Sequence, residues 1–237
     1  MKKTALLLLL ATATLFTGCI DAIKSITGSG NVITQNRSLG NFTKIEAGSG
    51  VELIIEQSAN TSVEVEADDN IQEHLKTTIS GETLKIESEF NNFSNATMIV
   101  RIKTPRIEKV STSGGVSAES KGVIRGNKLR LDASSGSHIT FEVEVDDLEG
   151  ETSSGSQITL TGKAMEAEFE SSSGSTIEAY KLLSNDVFAE ASSGSSITVQ
   201  PLVKLNGKAS SGGSVRYVGA PKEIKRDESS GGSVSGS

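Results

Sequence analysis

The chain has 237 residues with 24 Gly, 3 Pro, a single Cys, no Trp, 4% aromatic residues and a net charge of -7 from 23 basic and 30 acidic side chains. One cysteine excludes an internal disulfide and a cysteine-built zinc site, and the acidic balance argues against nucleic acid, whose affinity for proteins comes mainly from Lys and Arg. Abundant glycine with scarce proline and few aromatics suits many short strands joined by tight turns, not a helical bundle.

The chain opens Met1-Lys2-Lys3, runs through apolar residues from Ala5 to Phe16 and ends that run at Thr17-Gly18-Cys19. A basic start, about a dozen apolar residues and a small-residue exit make 1–18 a secretory signal, too short to span a bilayer. Leu15-Phe16-Thr17-Gly18-Cys19 resembles the lipobox of bacterial lipoproteins, with Phe16 standing where Leu is commoner. That resemblance implies a cut before Cys19, acylation of its sulfur and new amino group, and a membrane as partner. The protein is then exported and lipid-anchored in the cell envelope, at an outer membrane or cell surface, with residues 19–27 as a tether.

Residues 28–110 are strand-rich but irregular. Val51 to Glu56, Val63 to Glu66 and Met98 to Ile102 read as strands. Thr77-Thr78-Ile79 and Leu84-Lys85-Ile86 flank Ser80-Gly81-Glu82-Thr83, a hairpin signal. Asn70 to Lys76 reads as one helical turn with Ile71 and Leu75 on one side. Gly48-Ser49-Gly50 precedes Val51, Leu53 and Ile55 as a turn precedes a strand, so this region is expected to form about three longer, decorated coils continuous with the regular coils of residues 111–237.

From 111 to 237 the tripeptide Ser-Ser-Gly recurs, with its glycine at Gly136, Gly155, Gly174, Gly194, Gly212 and Gly231, and Thr112-Ser113-Gly114 reads as a degenerate first copy. Three residues after the glycine stand Ile139, Ile158, Ile177, Ile197, Val215 and Val234; seven before it stand Leu129, Leu148, Ala167, Val187, Leu205 and Ile224. Four before it the residues are charged and therefore outward: Asp132, Glu151, Glu170, Glu190, Lys208 and Asp227. A unit of about 19 residues with one apolar side cannot bury that side alone. Stacking copies at about 4.8 Å solves the problem, because each strand pairs with the same strand of the next coil and the apolar columns merge into one core. The sequence therefore specifies an all-β parallel β-solenoid. The turn glycines supply positive φ, and the serines before them can stack as hydroxyl ladders. Pro221, Lys222, Arg226, Asp227 and Glu228 make the last copy a polar cap.

Gly28-Ser29-Gly30-Asn31-Val32, Phe42 to Ile45 with Gly48 to Val51, Asn70 to Leu75, Gly81 to Ile86 and the Ser-Ser-Gly series together resemble the putative auto-transporter adhesin head GIN domain family, over about residues 28–236. The resemblance implies a secreted or lipid-anchored protein of the kind found mainly in Bacteroidetes, and a right-handed parallel β-helix. It implies no cofactor and supplies no catalytic residues.

The sequence offers little chemistry. There is no Gly-x-Ser-x-Gly elbow, and neither Gly28-x-Gly30 nor Gly48-x-Gly50 completes a dinucleotide fingerprint. His74 and His138 are isolated, without metal-ligand spacing. The column Asp132, Glu151, Glu170 and Glu190 reads first as a solvated charged face and only weakly as a cation ladder, which calcium, a taker of oxygen ligands, would occupy. Polysaccharide-active β-helices use aromatic platforms in long grooves, and here Tyr180 and Tyr217 are the only tyrosines. The column Thr140, Thr159, Glu178, Thr198, Arg216 is too broken for an ice-binding array. The expectation is a non-enzymatic envelope protein, an adhesin or surface-binding module for a protein or glycan ligand, with a carbohydrate-binding or carbohydrate-active β-helix as the alternative.

Overall fold

The computed structural model describes residues 24–236, so Cys19 and segment 1–18 lie outside the described residues. The N-terminal half contains β1 (Ser25–Thr27), β2 (Val32–Arg37), β3 (Lys44–Ala47), β4 (Glu52–Gln57), β5 (Ser62–Asp68), a four-residue helix α1 (Asp69–Gln72), β6 (Leu75–Ser80), β7 (Thr83–Ser88), β8 (Asn92–Ser94), β9 (Met98–Thr104) and β10 (Lys109–Thr112). The repeat region comprises β11 (Ser117–Ala133), β12 (His138–Thr152), β13 (Gln157–Ser171), β14 (Thr176–Ala191), β15 (Ser196–Ala209), β16 (Ser214–Tyr217), β17 (Glu223–Glu228) and β18 (Ser233–Gly236).

The result is an all-β solenoid of about seven turns. In β11 to β14 a whole coil is one long strand of 15 to 17 residues, interrupted only at the Ser-Ser-Gly turn. All pairs from β10 to β18 are parallel and place Ile139, Ile158, Ile177, Ile197, Val215 and Val234 in one column. None of the six is more than 2% exposed, as a stacked apolar stripe requires. The in-out alternation inverts at Asp146-Asp147, Met165-Glu166 and Asn185-Asp186, where two successive residues lie outside, and β14 inverts a second time at Tyr180-Lys181. The inversion shared by β12, β13 and β14 is the second corner of the coil, opposite the glycine turn along the chain.

At each glycine turn the amide after the glycine donates to the carbonyl three residues back, as in Ser137 to Ser134 at 3.2 Å. Both central residues have positive φ, for example 52° at Ser135 and 72° at Gly136, which is the type I′ pattern. The sequence leads to an expectation of positive φ at the glycine alone; the serine before it shares the left-handed conformation in every copy. The hydroxyl ladder is also displaced from expectation. The stacked, buried hydroxyls belong to Ser137, Ser156, Ser175 and Ser195, immediately after the glycines. Ser156 Oγ donates to the Ala133 carbonyl at 2.7 Å, and Ser195 Oγ to that of Ser171 at 2.7 Å, so each ties its turn to the coil before. In the degenerate copy Gly115, not Gly114, is the counterpart of the repeat glycine: its amide bonds Ser135 as that of Gly136 bonds Ser154.

The N-terminal half departs from simple sequential stacking. β3 lies between β7 and β10, and β4 between β9 and β11, so the coil formed by β3 and β4 is the centre of this half, not its first layer. The chain leaves β4, builds β5 to β9 on one side of that coil, then returns through Pro105 to add β10 and β11 on the other. The outermost pairings are antiparallel: β6 with β7, and β5 with both β9 and β2. Gly81, at φ 61°, turns the predicted hairpin. Leu75 belongs to β6, not to the helical turn, although it and Ile71 are both buried as expected. The outer strand β2 ends Thr34-Gln35-Asn36-Arg37, a polar edge that discourages strand addition.

At the opposite end β17 is exposed along its whole length. Ile224 continues the column of Leu205, yet is 39% exposed because no coil covers it. The charged residues expected to cap this end do so in part by local bonds: Glu228 Oε1 accepts the Val234 amide at 2.6 Å, and the Arg226 guanidinium lies over the Tyr217 ring at 5.5 Å.

Candidate functional site

Ser25 to Thr27, assigned to the tether by sequence, form β1 on β8. They are held by a clasp at the antiparallel end of the solenoid. Asp68 is 1% exposed, and its carboxylate accepts the Gly30 amide at 2.6 Å and the Thr97 amide at 2.7 Å. Beside it Asp69 accepts from the Ser29 hydroxyl and from Asn31 Nδ2, and those two bonds hold its carboxyl below the usual range. His74 packs edge-on against Phe90 and shares a 2.7 Å hydrogen bond with Glu89, whose carboxyl is lowered by it. His138 points outward in a column with Ser117 and Gln157.

The charged surface is concentrated on the strand segment that precedes each glycine turn. Asp132, Glu151, Glu170 and Glu190 stack in register on successive coils, as the repeat predicted. Cations stand among them. Arg130 pairs with Asp132 at 2.9 Å, with Glu149 at 3.1 Å and with Glu151; Lys109 pairs with Asp132 at 2.8 Å and Lys208 with Glu190 at 3.5 Å. Among the described residues no group of three or more His, Cys, Asp or Glu side chains is arranged to hold a metal ion.

Two further columns escape the sequence reading. Asp147, Glu166 and Asp186 stack beside Glu149, Glu168 and Phe188, so with Glu151, Glu170 and Glu190 eight of the nine positions in these three columns on β12, β13 and β14 are acidic. The signal is available in the sequence, because these residues recur six and eight positions before each glycine and share parity with the recognised column. Lys128 hydrogen-bonds Glu149 and holds that carboxyl below its usual range; the second bond, from Arg130, adds to the effect. Asp147, Glu166, Glu168, Glu170 and Asp186 have no ion-pair partner among the described residues. A shallow groove of about 400 Å³ runs over this field, walled by Lys128 on one side and Lys204 on the other, with the Phe188 ring in its floor.

Like charges on adjacent strands repel by about 0.2–1 kcal/mol per pair. Glu168 is surrounded by Glu149, Glu166 and Glu170, so Glu168→Lys is expected to raise stability by about 1 kcal/mol, or roughly 2–4 °C in a chain of this size. The gain should shrink in 1 M salt, where screening acts over about 3 Å. Thermal unfolding of both chains at low and high salt checks this; an unchanged or lower melting temperature at low salt refutes it.

Comparison with known proteins adds the family and the fold. The family described as "Putative auto-transporter adhesin, head GIN domain" matches residues 41–221. A crystal structure of a putative adhesin from Bacteroides fragilis superposes with a TM-score of 0.82 at 20% identity, covering 90% of this chain and 100% of that one. A putative lipid binding protein from Parabacteroides distasonis gives 0.74 at 19% identity over 90% and 100% of the two chains. A putative adhesin from Parabacteroides merdae gives 0.72 at 19% identity over 90% and 99%. At these identities the likeness concerns the fold. No curated protein matches the chain.

Proposed function

The chain belongs to the family described as "Putative auto-transporter adhesin, head GIN domain", and on that premise we propose that it is a non-enzymatic, adhesin-type module of the cell envelope, held to a membrane by acylated Cys19 and presenting its solenoid as a rigid contact surface. The observation that carries the anchoring is the position of the only cysteine at the exit of the signal-like segment. Lys24, the first described residue, lies five positions beyond it, at most about 18 Å of extended chain. A leash so short keeps the clasped, antiparallel end beside the bilayer and leaves the coils of β12 to β15 as the region free to meet a partner. Support for contact there comes from the carboxylate field, which the protein's own cations neutralise only at its margins.

Cys19→Ser is expected to move the protein from the membrane fraction to the soluble fraction while leaving its fold intact, and protease added to intact cells should reach the wild-type solenoid. Equal membrane partition of the two chains overturns the anchoring. Release of reducing sugar from a glycan panel overturns the non-enzymatic reading, whereas retention on particular glycans without turnover identifies a ligand class.

A further inference from the structure

The chain enters the solenoid in two stages that are held by different means. β1 pairs only with β8, and the two form a sheet of their own, apart from the sixteen-stranded sheet that contains the coils. The ladder is three residues long, and the bonds around it are exposed to water. The Lys24 amide donates to Asn91 Oδ1 at 3.1 Å, the Asn91 and Asn92 amides donate to the Lys24 carbonyl at 3.2 and 3.3 Å, and Asn92 Nδ2 donates to Ser25 Oγ at 3.0 Å. Ile26 is the one side chain of β1 that packs on the core, and it is only half-buried. A two-stranded ribbon of this kind is marginally stable by itself.

From Thr27 onward the hold is stronger. The successive side chains of Asp68, Asp69 and Asn70 grip the five residues from Thr27 to Asn31. Asn70 bonds the Thr27 carbonyl at 2.8 Å and the Ser29 amide at 3.0 Å, Asp69 accepts from the Ser29 hydroxyl and Asn31 Nδ2, and the buried Asp68 carboxylate accepts the Gly30 amide. Gly28 is seated so closely that a Cβ there would meet both the Asn95 carbonyl and Asp68. Asp68 ends β5, so the grip is part of the large sheet. Hydrogen bonds to a carboxylate are stronger than those between neutral groups, which hold β1.

We infer that β1 is a releasable strap: residues 24–26 peel from β8 while the grip on Thr27 to Asn31 stays closed, so the N-terminal end has a docked and a peeled state. Short, water-exposed elements with few apolar contacts are the ones that open locally while the rest of a structure stays folded. Peeling uncovers Phe93 and the edge of β8 and leaves the parallel coils untouched. For an anchored chain the consequence is two leash lengths, at most about 18 Å from Cys19 to Lys24 with β1 docked and at most about 29 Å from Cys19 to Thr27 with it peeled. That consequence rests on the proposed anchoring, whereas the strap itself does not.

The test is hydrogen exchange, residue by residue, on the purified full chain carrying Cys19→Ser, so that lipidation plays no part and failure of the anchoring cannot be mistaken for failure of the strap. Relative to their unfolded rates, the Asn91 and Asn92 amides are expected to exchange about ten-fold or more faster than those of Gly30 and Thr97, with little dependence on urea, because the opening exposes few residues. Ser25 and Asn92 are register partners, so Ser25→Cys with Asn92→Cys, once oxidised, should lock the strap, slow the Asn91 amide to the level of Gly30, and release it again on reduction. Equal protection and equal urea dependence at Asn91 and Thr97 overturn the inference, since strap and grip would then open as one unit. Fast exchange at Asn91 in the oxidised pair overturns it as well, because departure of β1 would not be what exposes that amide.

Discussion

Replacing Phe169 with alanine is expected to cost about 3–5 kcal/mol of stability, the range for deleting a fully buried aromatic ring, and to lower the melting temperature by roughly 10 °C. Phe169 is 0% exposed and stands in an inward column whose neighbours are Gly150 on one side and Ala189 on the other. Its ring fills the space that Gly150 leaves: a Cβ added at Gly150 would lie 2.8 Å from Phe169 Cδ1. The column thus keeps its volume by pairing a large residue with small ones, and neither member can change size alone. Gly150→Leu by itself should also destabilise, through that clash. In the Phe169→Ala background the same leucine has room and should recover part of the loss, so a double-mutant cycle should show a coupling of about 1 kcal/mol or more. Denaturant unfolding of the four chains measures it. Additive effects would mean that the two positions do not share one packing volume.

That coupling shows what the sequence makes legible and where it stops. The column is visible by counting back from each glycine, because a stacked solenoid converts sequence period directly into spatial contact. The same arithmetic reaches the hydroxyl ladder: Ser137, Ser156, Ser175 and Ser195 have the parity of the isoleucines two residues later, so strict alternation already turns them inward, where the structure finds them buried. Counting on parity also exposes the columns of Asp147 and Glu149. The doubling-back of residues 28–110 has no such signature. β3 has β7 and β10 as neighbours at unequal separations along the chain, and nothing in Lys44 to Ala47 selects those partners over others of similar pattern. This end of the stack is finished by antiparallel pairs whose outer strands, β2 and β6, remain as edges, and no repeat in the sequence marks them. Positive φ at the second serine of each turn is hidden for another reason. Serine is an ordinary occupant of many conformations, and only the two-residue length of the turn demands type I′.

The clasp around Asp68 makes the closing prediction, because it governs both the stability of the antiparallel end and the point from which the tether departs. Asp68→Ala removes two short hydrogen bonds that a buried carboxylate accepts from the Gly30 and Thr97 amides. Gly30 is exposed and Thr97 half-buried, so water can partly replace the lost acceptor, and the local loss is expected to be about 1.5–3 kcal/mol, the range for hydrogen bonds to a charged group. Gly28 is part of the same device: a Cβ there would lie 2.3 Å from the Asn95 carbonyl oxygen and 2.7 Å from Asp68 Oδ2, so Gly28→Ala should open the clasp by a different route. In a solenoid each coil leans mainly on its neighbours, so the damage should stay at this end. Hydrogen exchange is expected to accelerate in β1, β2 and residues 95–97 in both variants while β12 to β15 keep their protection. Asp69→Ala serves as the contrast. Its carboxylate is solvent-exposed and is held below its usual range by Ser29 and Asn31, so it stabilises the clasp above the usual carboxylate pKa and ceases to do so as the pH falls and it protonates. That variant should therefore behave as wild type in acid and differ only modestly at neutral pH. Uniform loss of protection along the whole chain in Asp68→Ala would show instead that the end coil nucleates the entire stack.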